Sequence, residues 1–71
     1  MLAANEAERI VEEAIAALST RGREVFLLVV VEQMSPAEAA QVLGIAPATA
    51  RQRLARARAM IRQRLERATE S

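Results

Sequence analysis

Residues 35–58 read SPAEAAQVLGIAPATARQRLARAR, and this stretch carries the start and stop signals of two helices set at a corner. Ser35 can cap the free amides of the first helix, Pro36 is preset for its first helical position, and Glu38 can reach back to the cap, which together make a capping box. Gly44 follows Leu43 where a helix commonly ends in a left-handed residue. The second helix starts at Pro47, and the residue before a proline is biased away from helical geometry, so Ala46 belongs outside it. Gly44, Ile45 and Ala46 therefore turn the corner, in the manner of a helix-turn-helix held open at roughly 90–120°.

The 71 residues make a single domain, residues 1–71, close to the smallest size that folds unaided. The chain has no Cys, His, Trp, Tyr, Asp or Lys; its ten positive charges are all Arg and its nine negative ones all Glu. Disulfides are excluded, and nothing points to an oxidising compartment. No apolar run approaches the roughly 18 residues needed to cross a bilayer, and Glu6 and Glu8 stand where a secretory leader would be basic. A cytoplasmic protein with no membrane contact is expected.

The net charge of +1 hides a division. Residues 1–46 hold three Arg and seven Glu, a net −4, whereas residues 47–71 hold seven Arg and two Glu, a net +5. An acidic first part and a basic last helix imply that one face meets a polyanion.

Upstream of the corner, Ala7, Ile10, Val11, Ala14, Ile15 and Leu18 recur at helical spacing and predict a helix over 4–18. Glu6, Glu8, Glu12 and Glu13 lie mostly off that stripe and read as a solvated face. Ser19 or Thr20 can cap a second helix over 20–33. Inside it, Val25 to Val31 are seven consecutive apolar residues whose β-branched share favours a strand. A lone strand among helices would leave its backbone groups unpaired, so a helix buried on more than one side is expected instead. Helices one, three and four would cover part of it. Val29 and Val30 are the candidates for a surface under a protein partner, because a small domain cannot easily bury every face of a helix.

In the third helix, 36–43, Ala39, Ala40, Val42 and Leu43 are expected to face inward, with Ile45 anchoring the corner. In the fourth, 47–66, Ala50, Leu54, Ala57, Ile61 and Leu65 form the core stripe, which fixes the outer face on Thr49, Gln52, Ala55, Arg56, Ala59 and Gln63. Arg51, Arg53, Arg58, Arg62 and Arg64 flank it. A slim helix with Arg side chains suits the major groove of DNA, where Arg matches guanine edges and phosphates and Gln can pair with adenine. The first turns of a recognition helix usually reach bases, while flanks and later turns grip phosphates. Arg51, Gln52, Ala55 and Arg56 are therefore the candidate base readers. Thr49, Arg53 and Arg58 are candidate backbone contacts, joined by Ser35 at the start of helix three.

Beyond the local signals, residues 16–66 resemble region 4 of bacterial sigma factors, most closely the extracytoplasmic-function group. The resemblance is carried by Ala17-Leu18-Ser19, Arg23-Glu24-Val25-Phe26-Leu27-Leu28, Met34-Ser35-Pro36-Ala37-Glu38-Ala39-Ala40, Val42-Leu43-Gly44-Ile45 and the run Thr49 to Arg58. Its most specific parts are the Leu43-Gly44-Ile45 corner and the ending Arg53-Leu54-x-Arg56-Ala57-Arg58. It implies an all-α, four-helix domain, winged-helix-like but without a wing. It also implies binding to double-stranded promoter DNA at the minus-35 element, contact with the β-flap of core RNA polymerase, and masking by an anti-sigma factor. Arg51, Gln52, Ala55 and Arg56 fall on the family's base-facing positions and Arg53 on a backbone-contacting one. The chain departs from the pattern at Ala46, where a capping Ser is usual, at Gln52, where Ser is usual, at Ala50, where Val is usual, and at Gln33, where Gly is common. Family members also carry a promoter-melting domain that is not among these residues. The expected alternatives are an excised domain, which Met1 fits, and a free-standing relative that competes or regulates.

The effector domain of LuxR-type regulators shares the Arg23-Glu24-Val25 and Ser35-x-x-Glu38-x-Ala40 pattern; the Arg53 to Arg58 ending favours sigma. A protein-interaction module, with helix four docked on an acidic partner, is a third reading. An enzyme is the weakest. With no His, Cys, Asp, Lys or Tyr there is no general base besides Glu, no metal cluster and no activated nucleophile. No cofactor, metal or small-molecule substrate is expected.

Overall fold

In the computed structural model, which describes residues 2–70, four helices follow one another: α1 (Ala4–Ala17), α2 (Thr20–Val30), α3 (Pro36–Leu43) and α4 (Pro47–Glu70). Met1 and Ser71, the ends of the expected domain, lie outside the described residues, among which there is no strand and hence no wing. The all-α expectation holds. α4 is the hub: it packs on α1, α2 and α3, while α2 packs in addition on α3. At 24 residues it spans about 36 Å at 1.5 Å per residue, which sets the long dimension of the 40 × 18 × 16 Å molecule.

The core is small and built largely from alanine. Ala14 and Leu18 from the end of α1, Val25 and Phe26 from α2, Ala40 from α3, and Ala50, Leu54, Ala57 and Ile61 from α4 form one buried cluster. Val11, Ile15, Val29, Leu43, Ile45 and Leu65 pack around it. Small residues let the helix axes approach closely, and they leave the larger apolar side chains to close the rim.

The helix ends follow local chemistry. Ser19 is the cap of α2, its Oγ accepting from the Gly22 amide at 3.2 Å. At α3 both halves of the capping box form: the Glu38 amide donates to Ser35 Oγ at 3.1 Å, and the Ser35 amide donates to Glu38 Oε1 at 3.0 Å. Gly44 ends α3 at φ 68°, in the left-handed region. Its amide reaches the Gln41 carbonyl, and the Ile45 amide reaches back to Ala40 at 3.0 Å, so the last carbonyls of the helix are used.

Four expectations are corrected. The second helix stops at Val30 rather than Gln33. The amides of Val31 and Glu32 both donate to the Leu27 carbonyl and that of Met34 to Leu28, so the turns widen and unwind into a left-handed Gln33 at φ 59°. The fourth helix runs on to Glu70 rather than 66, since nothing after Pro47 is a Gly or Pro to stop it; the first ends one residue early, at Ala17. Finally, Val42 is 61% exposed: two residues after Ala40 is about 200° round the helix, off the inward stripe of Ala39, Ala40 and Leu43.

Candidate nucleic-acid interface

The residues that make α4 a structural hub also orient its free face. Ala50, Leu54, Ala57 and Ile61 are buried, so at about 100° per residue the direction opposite them falls on Gln52, with Ala59 and Gln63 further along the same crest. Gln52, Ala55, Arg56 and Gln63 are exposed, while Thr49 and Ala59 are half-buried.

Two stripes run beside this crest. On one flank Arg51, Ala55, Arg58 and Arg62 recur at spacings of four, three and four, all exposed. On the other, Thr49, Arg53, Arg56 and Met60 recur at the same spacings and line a cleft of about 520 Å³ between α4 and the start of α2. The opposite wall of that cleft is Leu18, Ser19, Arg21 and Gly22. No acidic side chain lines it, so Arg21, Arg53 and Arg56 share a basic concavity. Among the described residues none of these guanidiniums is held in an ion pair, which leaves them available to a polyanion.

Of the residues singled out from the sequence, the cleft brings together Thr49, Gln52, Arg53 and Arg56. Arg51, Ala55 and Arg58 stand on the far flank of the same helix. Ser35 lies apart from the cleft, exposed at the start of α3, its Oγ accepting from the Glu38 amide and its hydroxyl engaged with the Glu38 carboxyl. Arg21 is the residue that sequence reasoning missed. A signal for it did exist. It sits in the first turn of α2, where no acidic residue is found and where a positive charge opposes the helix dipole.

A second surface lies across the molecule. Val29 is half-buried against the core, and Val30 is 45% exposed. The larger apolar exposure falls beside them, on Val31 and Val42, with Leu27 also exposed. Leu27, Leu28, Val42 and Leu43 line a groove of about 320 Å³ between α2 and α3, with Glu24 and Glu32 at its edge.

A short capped helix, a corner at a left-handed glycine and a long arginine-bearing helix with an exposed crest define a helix-turn-helix DNA-binding module. The family model for sigma-70, region 4, matches residues 8–61, three quarters of the chain, and the chain belongs to that family. The class is a promoter-binding domain of transcription initiation, not an enzyme family, and its partners are promoter DNA and RNA polymerase. No curated protein matches the chain.

Among the described residues no group of His, Cys, Asp or Glu side chains is placed to hold a metal ion, and no helix is long and apolar enough to cross a membrane.

Proposed function

We propose that this domain is the minus-35 reader of an extracytoplasmic-function type sigma factor, working in the cytoplasm. α4 enters the major groove; Arg51, Gln52, Ala55 and Arg56 supply the contacts inside it, while Thr49, Arg53, Arg58 and Ser35 hold the backbone. Arg21 joins the backbone set from across the cleft. The observation that carries this reading is the pair of arginine-bearing stripes on either side of a crest with Gln52 and Gln63 exposed, one for each phosphate strand that borders a groove about 12 Å wide. Phosphate contacts on both sides fix the register, and the crest then meets base edges.

The groove between α2 and α3 is the polymerase-facing surface in this reading. Its apolar floor of Leu27, Leu28, Val42 and Leu43 suits an amphipathic segment of the β-flap, and it extends the Val29–Val30 region toward α3. The same exposed surface is what an anti-sigma factor would cover.

Titration of the purified chain with promoter and scrambled duplexes at several salt concentrations tests the DNA half. Phosphate contacts by three arginines, Arg21, Arg53 and Arg58, give a log–log salt slope of about −3, and affinity independent of both sequence and salt sinks the proposal. Leu27→Glu with Val42→Glu, both at exposed positions, tests the other half. The double variant is expected to lose core-polymerase binding and keep DNA affinity; polymerase binding at full strength would place that contact elsewhere.

A further inference from the structure

Within the four groove residues, the geometry points to a division of labour: Gln52 and Arg56 are the base-reading pair, taking an adenine and a guanine, and Arg51 holds a phosphate. This inference rests on the DNA-reading proposal and narrows it. The angular positions follow from the buried residues. Measured from the direction opposite Ala50, Leu54, Ala57 and Ile61, Gln52 lies within about 10°, Arg56 and Ala55 about 50° to either side, and Arg51 about 90° away. A side chain 90° from the crest leaves the helix toward a groove wall, where the phosphates are. One within about 50° points at the groove floor, where the base edges are.

The chemistry of the pair then limits the target. The Gln amide offers one donor and one acceptor side by side, which matches adenine N6 and N7; the Arg fork offers two donors, which matches guanine O6 and N7. Four residues separate them, about 6 Å of helix, just under two base-pair steps of about 3.4 Å. The two bases are therefore neighbours or next but one. Ala55 is exposed between them on the opposite side of the crest, a methyl of the right size to meet a thymine methyl. Arg56 also shares its stripe with Arg53 and faces Arg21 across the cleft, so its guanidinium approaches from the strand that the cleft holds. Arg51, in line with Arg58 and Arg62, belongs to the other strand.

Selection of preferred duplexes from a random pool, run with the whole chain and three variants, tests this. All three positions are exposed, and circular dichroism verifies that each variant keeps its helix content. The unaltered chain is expected to recover a motif with one strong A and one strong G within two steps. Gln52→Glu should move the A position to C, since a carboxylate accepts from cytosine N4, with a change in preference of about five- to a hundred-fold. Arg56→Ala should erase the G alone. Arg51→Ala should leave the motif unchanged, weaken every duplex alike and lower the salt slope by about 1. A motif that Gln52→Glu leaves unchanged, or one from which Arg51→Ala removes a base, overturns the division while promoter reading stands. If the unaltered chain recovers no motif at all, both readings fall.

Discussion

The two helices immediately before the recognition helix, α2 and α3, run out into the same backbone conformation but with different residues. α2 runs out into Gln33 at φ 59°, and α3 into Gly44 at φ 68°. Glycine reaches this region without steric cost, whereas an L-residue with a side chain pays roughly 1–2 kcal/mol there. One of these corners is therefore relaxed and the other strained, although both position the same short helix α3. Tolerated strain at Gln33 means that the contacts on either side, Phe26 and Val29 before it and Ala39 and Ala40 after it, hold the turn more firmly than its own residue does.

This contrast can be tested by exchanging the residues. The largest effect is expected from Gly44→Val, which puts a β-branched side chain at positive φ. Nothing lies within 4 Å of the added Cβ, so the loss comes from the backbone alone, about 2 kcal/mol or roughly 10 °C in melting temperature for a domain of this size. A melting temperature unchanged by this variant would mean that the left-handed turn is not required. Gln33→Gly should act in the opposite sense. It relieves about 1–2 kcal/mol of strain and loses about 0.4–1 kcal/mol to the more flexible unfolded chain, which leaves a gain of about 1 kcal/mol in denaturant melts. If the gain is absent, the Gln33 side chain contributes something that the backbone argument omits.

Ala46→Ser tests the start of α4 by the same logic. Alanine has no oxygen with which to cap, although the Ala50 amide already donates to the Ala46 carbonyl. A serine should add about 0.5–1 kcal/mol, measured as a shift in the denaturation midpoint. A smaller effect concerns acid. The Ser35 backbone amide, and secondarily its side chain, hold the Glu38 carboxyl below its ordinary value of 4.5. A lowered carboxylate stabilises the fold above the unfolded value and loses that contribution as pH falls through the folded one. Stability should therefore drop below about pH 4.5 more steeply in the unaltered chain than in Glu38→Gln, and matching profiles would show that the capping box is not sensing protonation.

The contrast between the two turns also shows what could be read without a structure. Gly44 announces its turn because the residue type and the conformation agree. Gln33 does not, and it was expected to be the last residue of the helix; only the resemblance, in which Gly is common at that position, marked the place. α4 was expected to stop at 66 because the apolar stripe fades after Leu65. A helix with no breaker and good helix formers continues beyond its packed part. Val42 was expected inside because it is a valine in a short helix, yet its angle from Ala40 turns it toward solvent.

For the site, the residues of α4 were legible and the surfaces they share with other helices were not. Thr49, Gln52, Arg53 and Arg56 follow from one periodic pattern in one helix, since a buried stripe at 3.6-residue spacing fixes the opposite face. Arg21 is 28 or more positions away from every one of them, and the groove formed by Leu27 and Val42 likewise joins two helices. No local pattern encodes either pairing.

What the sequence determined by itself is the set of interactions closed within a few residues: the Ser35–Glu38 box, the proline starts at Pro36 and Pro47, the left-handed stop at Gly44, and the stripe that makes α4 amphipathic. Each is settled by bonds or angles spanning at most one or two helical turns. The tertiary structure decided which helices meet. Packing α4 on all three others set Arg21 opposite Arg53 and Arg56 and tilted α2 against α3 to open the groove, because which helix packs on which depends on how whole surfaces fit and not on any single neighbour along the chain.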